Sequence, residues 1–349
     1  MAHIGKSSTR LPFEILRVAT EFFGYSRKRI MSKPSHEVST DRAIDSSLAS
    51  SILTERIRIY QELAKSGIVT LVLISVLAGY LLGHPHETPV NWGRLLSTLL
   101  AILLLASGSS ALNQVQERHL DARMKRTANR PLPSGRLSLF EAIAFVAVTL
   151  LVGTVWLFAL SPTLGILGLV AVASYNVLYT LWWKKNLAYA AIPGAVPGAL
   201  PIWMGYIAAS DHALAPAGLY LFAFLFFWQM PHFWVLALKY KQDYRDGGFP
   251  TLPVSKGPVT TVTQIVIWCL GYIAIALMAP LFFKVGFVYL IPTLGMSGVV
   301  LFELHRFVAA PESKSWLRFF LWINFSLIAY LGAAVLDVWT IYLLPWLTN

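Results

Sequence analysis

Long apolar runs alternate with short polar links along most of this chain, and the runs are of bilayer length. From Ser66 onward nine of them follow one another, at 66–83, 94–114, 138–160, 163–182, 188–209, 216–238, 260–283, 285–303 and 317–343. A helix needs roughly 20 consecutive apolar residues to cross the hydrocarbon core. A transmembrane barrel writes a different pattern, alternating over about 10 residues. The runs here are continuous, so the pattern predicts an all-α polytopic membrane protein with nine transmembrane helices.

Residues 1–60 break the pattern. They are polar, serine-rich and mixed in charge, and they read as a flexible cytoplasmic segment ahead of a membrane domain over 61–349. A mitochondrial transit peptide is rich in arginine and poor in acid. Glu14, Glu21 and Glu37 argue against one, which favours a bacterial inner membrane over a mitochondrial one. Met31, followed by Ser32-Lys33-Pro34, is an alternative start.

Composition agrees with the pattern. The chain is 56% hydrophobic and 13% charged, against about 25% charged in soluble domains. The net charge of +11 would point to nucleic acid in a soluble protein. Here the basic residues gather on alternate links: Arg118 to Arg136, Lys184 and Lys185, Lys239 to Lys256, and Arg306 to Arg318. The other links keep Arg94 and Lys284. Basic residues mark the cytoplasmic side, so the N-terminus is expected inside and the C-terminus outside, with no nucleic-acid partner. A single cysteine, Cys269, excludes an intrachain disulfide.

Two links are long and polar, 115–137 and 239–259. Both are expected on the cytoplasmic side, four spans apart, which points to a parallel repeat of four-helix units. The first begins with Asn113, Glu117 and Asp121, spaced i, i+4, i+8. At about 100° per residue these fall within an arc of about 80° on a helix. Three oxygen-bearing side chains at a membrane rim suit a hard cation such as Mg²⁺, which binds few protein ligands and keeps phosphates and water. A proline- and glycine-punctuated stretch follows with Arg126, Arg130 and Arg136, whose planar forks suit phosphate or carboxylate. The second link carries Lys241, Asp243 and Asp246, the acids at i, i+3 on one helix face. Two acidic clusters beside a basic loop suit a metal-bridged diphosphate. His232 lies near the inner end of the sixth span, Asn176 interrupts an apolar run, and the prolines of 192–201 predict a bent helix beside a cavity.

These residues resemble a known family. Asn113-x3-Glu117-x3-Asp121-x2-Met124-x-Arg126-Thr127-x2-Arg130-Pro131-Leu132-Pro133-x-Gly135-Arg136 is similar to the signature of the protohaem IX farnesyltransferases. Pro231-His232-Phe233-Trp234 and the stretch Lys241 to Pro253 resemble that family's second motif. The wider intramembrane prenyltransferase superfamily usually begins its first motif Asn-Asp; Gln114 and Glu117 match the haem branch instead. The resemblance covers roughly 55–343; Lys184-Lys185-Asn186 and Pro201-Ile202 depart from the family pattern.

The resemblance implies a nine-helix intramembrane prenyltransferase bundle open to the cytoplasm. It implies transfer of a farnesyl group from farnesyl diphosphate to a vinyl group of haem b, with water addition, to give haem O for haem-copper oxidase biogenesis. Asn113, Glu117, Asp121 and Asp243 would act with Mg²⁺, Asp246 assisting. Arg126, Arg130, Lys184 and Lys241 would neutralise the diphosphate. His232 is a candidate haem contact, and the downstream haem-modifying enzyme is a candidate partner besides the lipid bilayer. Two alternatives stay open: a prenyltransferase acting on an aromatic quinone precursor, and a transporter of haem or an anionic lipid.

Overall fold

A computed structural model describes residues 35–85, 87–310 and 315–343. The alternative start at Met31 lies outside them. The chain divides into two units, Met1–Glu55 and Arg56–Asn349. Helix α1, Ser35–Ala64, begins in the first and ends in the second. Residues 35–60, expected as a loose segment, are therefore helical. The reason lies in what the stretch lacks: Ser35–Ala64 holds neither glycine nor proline, and its last turns bury Ile59 and Leu63.

Nine helices among the described residues are long and apolar enough to cross a membrane. They are α2 Ser66–Gly83, α3 Trp92–Asp121, α4 Leu139–Leu160, α5 Pro162–Asn186, α6 Ala191–Ser210, α7 Pro216–Lys239, α10 Gly257–Leu277, α11 Phe287–Ala309 and the ninth, α12, Ser315–Leu343. Two short helices, α8 Lys241–Asp246 and α9 Leu252–Ser255, fill the link after α7. No strand occurs among the described residues. Outward faces carry large apolar side chains such as Phe140, Leu151, Ile166, Ile291 and Phe325, as a surface covered by lipid requires. The chain is a multi-pass membrane protein.

Several boundaries differ from the sequence-based expectation, the eighth span among them, which runs on to Ala309. The second span was expected to end at 114, yet α3 runs on to Asp121. Its polar end residues Asn113, Gln114, Glu117 and Asp121 are buried in the bundle rather than solvated, which a hydropathy window cannot register. The fourth span continues through an 11-residue π-helical stretch, Ala173–Trp183. The seventh stops at Leu277, not 283, because Pro280 bars continuation.

Three apolar clusters support the bundle, the smallest around Leu63, Ala111 and Ala142. Of the larger two, one joins α2 to α6 around Leu105, Leu157, Leu164 and Met204; the other is aromatic, with Phe224, Trp234, Tyr272 and Tyr330 between α7, α10 and α12. Between α2 and α6 the backbones meet directly. A Cβ on Gly79 would strike the Ile202 carbonyl, and one on Gly205 the Val76 carbonyl. Small residues are what allow membrane helices to approach this closely. The regular helix at the proline-rich start of α6 is interrupted at Ala195, whose carbonyl accepts from Gln229 Nε2 of α7 at 3.0 Å.

Candidate active site

The site forms at the end of the bundle that carries the two long links. Helix α3 supplies its floor. Asn113, Glu117 and Asp121 are each at most 2% exposed and lie on one face, as their spacing predicts. Each meets a cation of the protein itself. Lys65 Nζ donates to Asn113 Oδ1 at 2.6 Å. Lys184 Nζ donates to both oxygens of Glu117, at 2.7 and 2.8 Å. Arg130 Nη1 donates to Asp121 Oδ2 at 2.7 Å. Buried charges require such partners.

The π-helical stretch of α5 holds the second wall. Ser109 Oγ donates to Asn176 Oδ1 at 2.5 Å, and Asn176 Nδ2 to the Ser109 carbonyl at 2.9 Å. One turn on, Asn113 Nδ2 donates to Thr180 Oγ1 at 3.1 Å. Glu117 and Lys184 complete the series. The wide turn also lets Thr180 Oγ1 reach back to the Tyr175 carbonyl, five residues earlier, at 2.8 Å. Such π-helical segments recur at functional sites.

The first link is ordered, as its prolines and glycine predict. Successive turns fold it under Asp121: Thr127 Oγ1 donates to the Asp121 carbonyl at 2.9 Å, and Gly135 takes φ +72°, which favours glycine. Arg136 anchors the far side, donating to Glu62 Oε2 at 2.5 Å and the Asn129 carbonyl at 2.6 Å. Its guanidinium holds the Glu62 carboxyl below the usual carboxylate range.

The second link closes over the first. Arg126 lies over the rings of Tyr240 and Tyr244, 4.6 and 5.3 Å from their centroids. Lys184 lies 4.4 Å from the centroid of Phe249. Asp243 and Lys241 are half-buried on α8, and no hydrogen bond or ion pair joins either side chain to α3 among the described residues. Asp246 is exposed and accepts from Gln242 Nε2 at 2.7 Å, so its carboxylate is not drawn into the cluster. His232 stands apart, packed against Trp228 and Phe320 with centroids 4.8 and 5.1 Å away. Its Nδ1 is buried without a partner.

The sequence reading missed Lys65. It sits one residue outside an apolar run, where a basic residue ordinarily marks only a membrane rim. Burial, and next the Arg130 charge, push its ammonium down to about 7.

The donor set suits a magnesium ion that shares its coordination with phosphate. No group of three His, Cys, Asp or Glu side chains gathers as a cage among the described residues, and Mg²⁺ does not need one. Asp121 Oδ1 is buried with no partner, an acceptor left over after Arg130 has taken the other oxygen.

A membrane-embedded helical bundle, with stacked oxygen acceptors and three protein cations at one mouth, has the donor and acceptor set that phosphate and a divalent cation together require. The model of the UbiA prenyltransferase family matches residues 72–328, and the chain belongs to that family: it is a prenyltransferase. Among curated proteins it is similar to the protoheme IX farnesyltransferase of Bdellovibrio bacteriovorus, 44% identical over 283 residues, covering 81% of this chain and 97% of that one. The protein of the same name from Aquifex aeolicus is 36% identical, covering 81% and 96%. Among solved structures, a digeranylgeranylglyceryl phosphate synthase superposes with TM-score 0.66 at 17% identity, over 81% of this chain and 99% of that one. A UbiA homolog from Archaeoglobus fulgidus bound to DMAPP and Mg²⁺ gives TM-score 0.58 at 15% identity, over 79% and 98%.

Proposed function

We propose that this prenyltransferase moves a farnesyl group from farnesyl diphosphate to a vinyl group of haem b, giving haem O and diphosphate for haem-copper oxidase biogenesis. The observation that carries the reading is the stack of Asn113, Glu117 and Asp121, each oxygen side chain already facing a cation. Such a mouth suits a ligand bringing divalent cation and diphosphate together. The curated relatives' names supply the acceptor.

Asn113, Glu117 and Asp121 would hold Mg²⁺ from α3, and Asp243 from the second link; Asp246, exposed and bonded to Gln242, stands outside this set. A metal held there would supply positive charge to the departing diphosphate. Lys65, Arg126, Arg130, Lys184 and Lys241 face the diphosphate and stabilise the charge that grows as its bond to farnesyl C1 breaks. The electron pair leaves with the diphosphate. The vinyl π-electrons form the new C–C bond, water adds to the resulting cation, and its proton goes to the diphosphate. Apolar helices keep other water from the allylic cation. His232, with a free buried nitrogen in an aromatic setting, is the haem contact. The mouth faces the cytoplasm of a bacterial inner membrane, from which the product passes to a downstream haem-modifying enzyme.

The test incubates the purified protein with haem b, farnesyl diphosphate and Mg²⁺, and weighs the extracted haem. A gain of farnesyl plus water supports the reading. Unchanged haem, with folded protein and intact donor, overturns it; farnesylation of a quinone precursor instead would reassign the acceptor.

A further inference from the structure

Gln114 belongs to the first motif by position but not by direction. On a helix it is turned about 100° from Asn113, away from the face shared by Glu117 and Asp121. Its side chain is buried, at 1% exposure. Nε2 donates to the carbonyls of Glu62 at 2.8 Å and Leu63 at 2.9 Å. These belong to the last turn of α1, where a helix leaves four carbonyls without intrahelical partners. Only one orientation of the amide works, because the reverse would set Oε1 against two acceptors. The buried Oε1 has no partner, so the side chain acts through its two N–H groups.

The residue after that turn is Lys65, with φ 55° and ψ 52°. An L side chain adopts this left-handed conformation at a cost. Here it ends α1 and starts α2 within a single residue. It also turns the Lys65 ammonium inward, onto Asn113 Oδ1 and, at 3.4 Å, the Tyr175 hydroxyl. The Gln114 bonds fix the turn just before this strained residue. A carboxylate at 114 would repel both carbonyls and release it.

We propose that Gln114 is a positioning residue for the donor substrate: by capping the end of α1 it holds the left-handed turn that aims Lys65 into the diphosphate site. This rests on the function proposed above. It also gives a physical role to the amide that distinguishes this motif from one beginning Asn-Asp.

The test compares Gln114→Leu, Gln114→Glu, Lys65→Met and the double variant Gln114→Leu/Lys65→Met, in the full chain in nanodiscs. Two readouts are used. The first is affinity for farnesyl thiodiphosphate with Mg²⁺; the second is the rate at which a small acylating reagent modifies Lys65, read by mass spectrometry. Gln114→Leu is expected to weaken the analogue about tenfold, and to do nothing more in the Lys65→Met background, the non-additivity of residues acting as one. Lys65 acylation is expected to accelerate in both Gln114 variants. Additive losses, or unchanged acylation in folded Gln114 variants, overturn the proposal. If Gln114→Leu fails to fold, Gln114→Glu carries the same comparison; if neither folds, Gln114 is structural and the proposal falls. Wild-type protein that ignores the analogue defeats the functional reading, while the acylation rates still decide the positioning.

Discussion

Lys184 closes on both oxygens of Glu117 from 67 positions further along the chain, and the same offset joins Asn113 to Thr180 and Ser109 to Asn176. Two helices that cross the bilayer in the same sense are thus held in register by polar pairs, one per turn. The pair at the mouth is nearly dry, its side chains 17% and 2% exposed. Removing one partner of such a pair typically costs about 3–5 kcal/mol, because the other charge is left uncompensated. Lys184→Met is expected to lower the melting temperature in detergent and to abolish turnover. Adding Glu117→Gln should restore the melting temperature and not the turnover. Restored activity in the double variant would mean that the pair is only structural.

The middle rung gives a milder expectation. Thr180→Val keeps the shape but leaves Asn113 Nδ2 without its acceptor, at a cost of about 1–3 kcal/mol. Asn113 Oδ1 then loses its fixed aim. Steady-state kinetics against Mg²⁺ concentration should show a raised requirement for the ion with little change in protein yield. An unchanged Mg²⁺ curve would remove Asn113 from the ligand set.

Asp121 is expected to be the least replaceable of the three acceptors, since Arg130 takes one oxygen and the other is buried without a partner. Asp121→Asn should lower turnover by a factor on the order of 10²–10³, the scale seen when a preorganised electrostatic group is lost. Full turnover in Asp121→Ala, measured by haem product formation, would end the metal assignment.

The sequence alone placed α3's acceptors, the basic loop and the second link, because each announces itself by residue type at regular spacing. Lys65 was illegible for the opposite reason. A single lysine at a membrane rim satisfies the positive-inside pattern, and only a left-handed backbone at that residue turns it inward. The π-helical stretch was equally hidden: Ala173–Trp183 reads as an ordinary apolar span, and its polar pairing with α3 shows only in the fold. Asp246 illustrates the limit from the other side, since i, i+3 spacing puts two acids on one face without saying which way that face looks.

Glycine packing makes a sharp contrast testable. Gly79 and Gly205 face opposing backbone, whereas Gly295 and Gly298 of α11 have nothing within 4 Å of an added Cβ. Gly205→Val is expected to prevent recovery of monodisperse protein by size exclusion. Gly298→Ala should be neutral or slightly favourable, by up to about 1 kcal/mol of helix propensity. Equal yields from the two would disprove the close approach of α2 and α6.

The clasp between Glu62 and Arg136 sets an acid limit on the first link. Glu62 is held below its free value near 4.3, so the contact contributes fully above that pH and is lost as pH falls through the lower bound-state value. Cleavage of the 122–137 link by an acid-active protease should therefore rise between about pH 5 and pH 3. Glu62→Gln should be cleaved readily at both. No difference between wild type and Glu62→Gln at pH 5 would show that the clasp is idle.

The contact between α2 and α6 is reciprocal. Position 76 on one helix meets 205 on the other, and 79 meets 202, the same three-residue step on both sides. Contacts of this kind are isologous, the form taken by two identical subunits about a twofold axis. Since α2 and α6 are the first and fifth spans and run the same way, the axis lies along the membrane normal. Across this one seam α2 and α6 therefore pack as two copies of a single helix would about such an axis. Two fragments divided in the short connection 187–190 would each still carry the half of the seam by which they recognise one another.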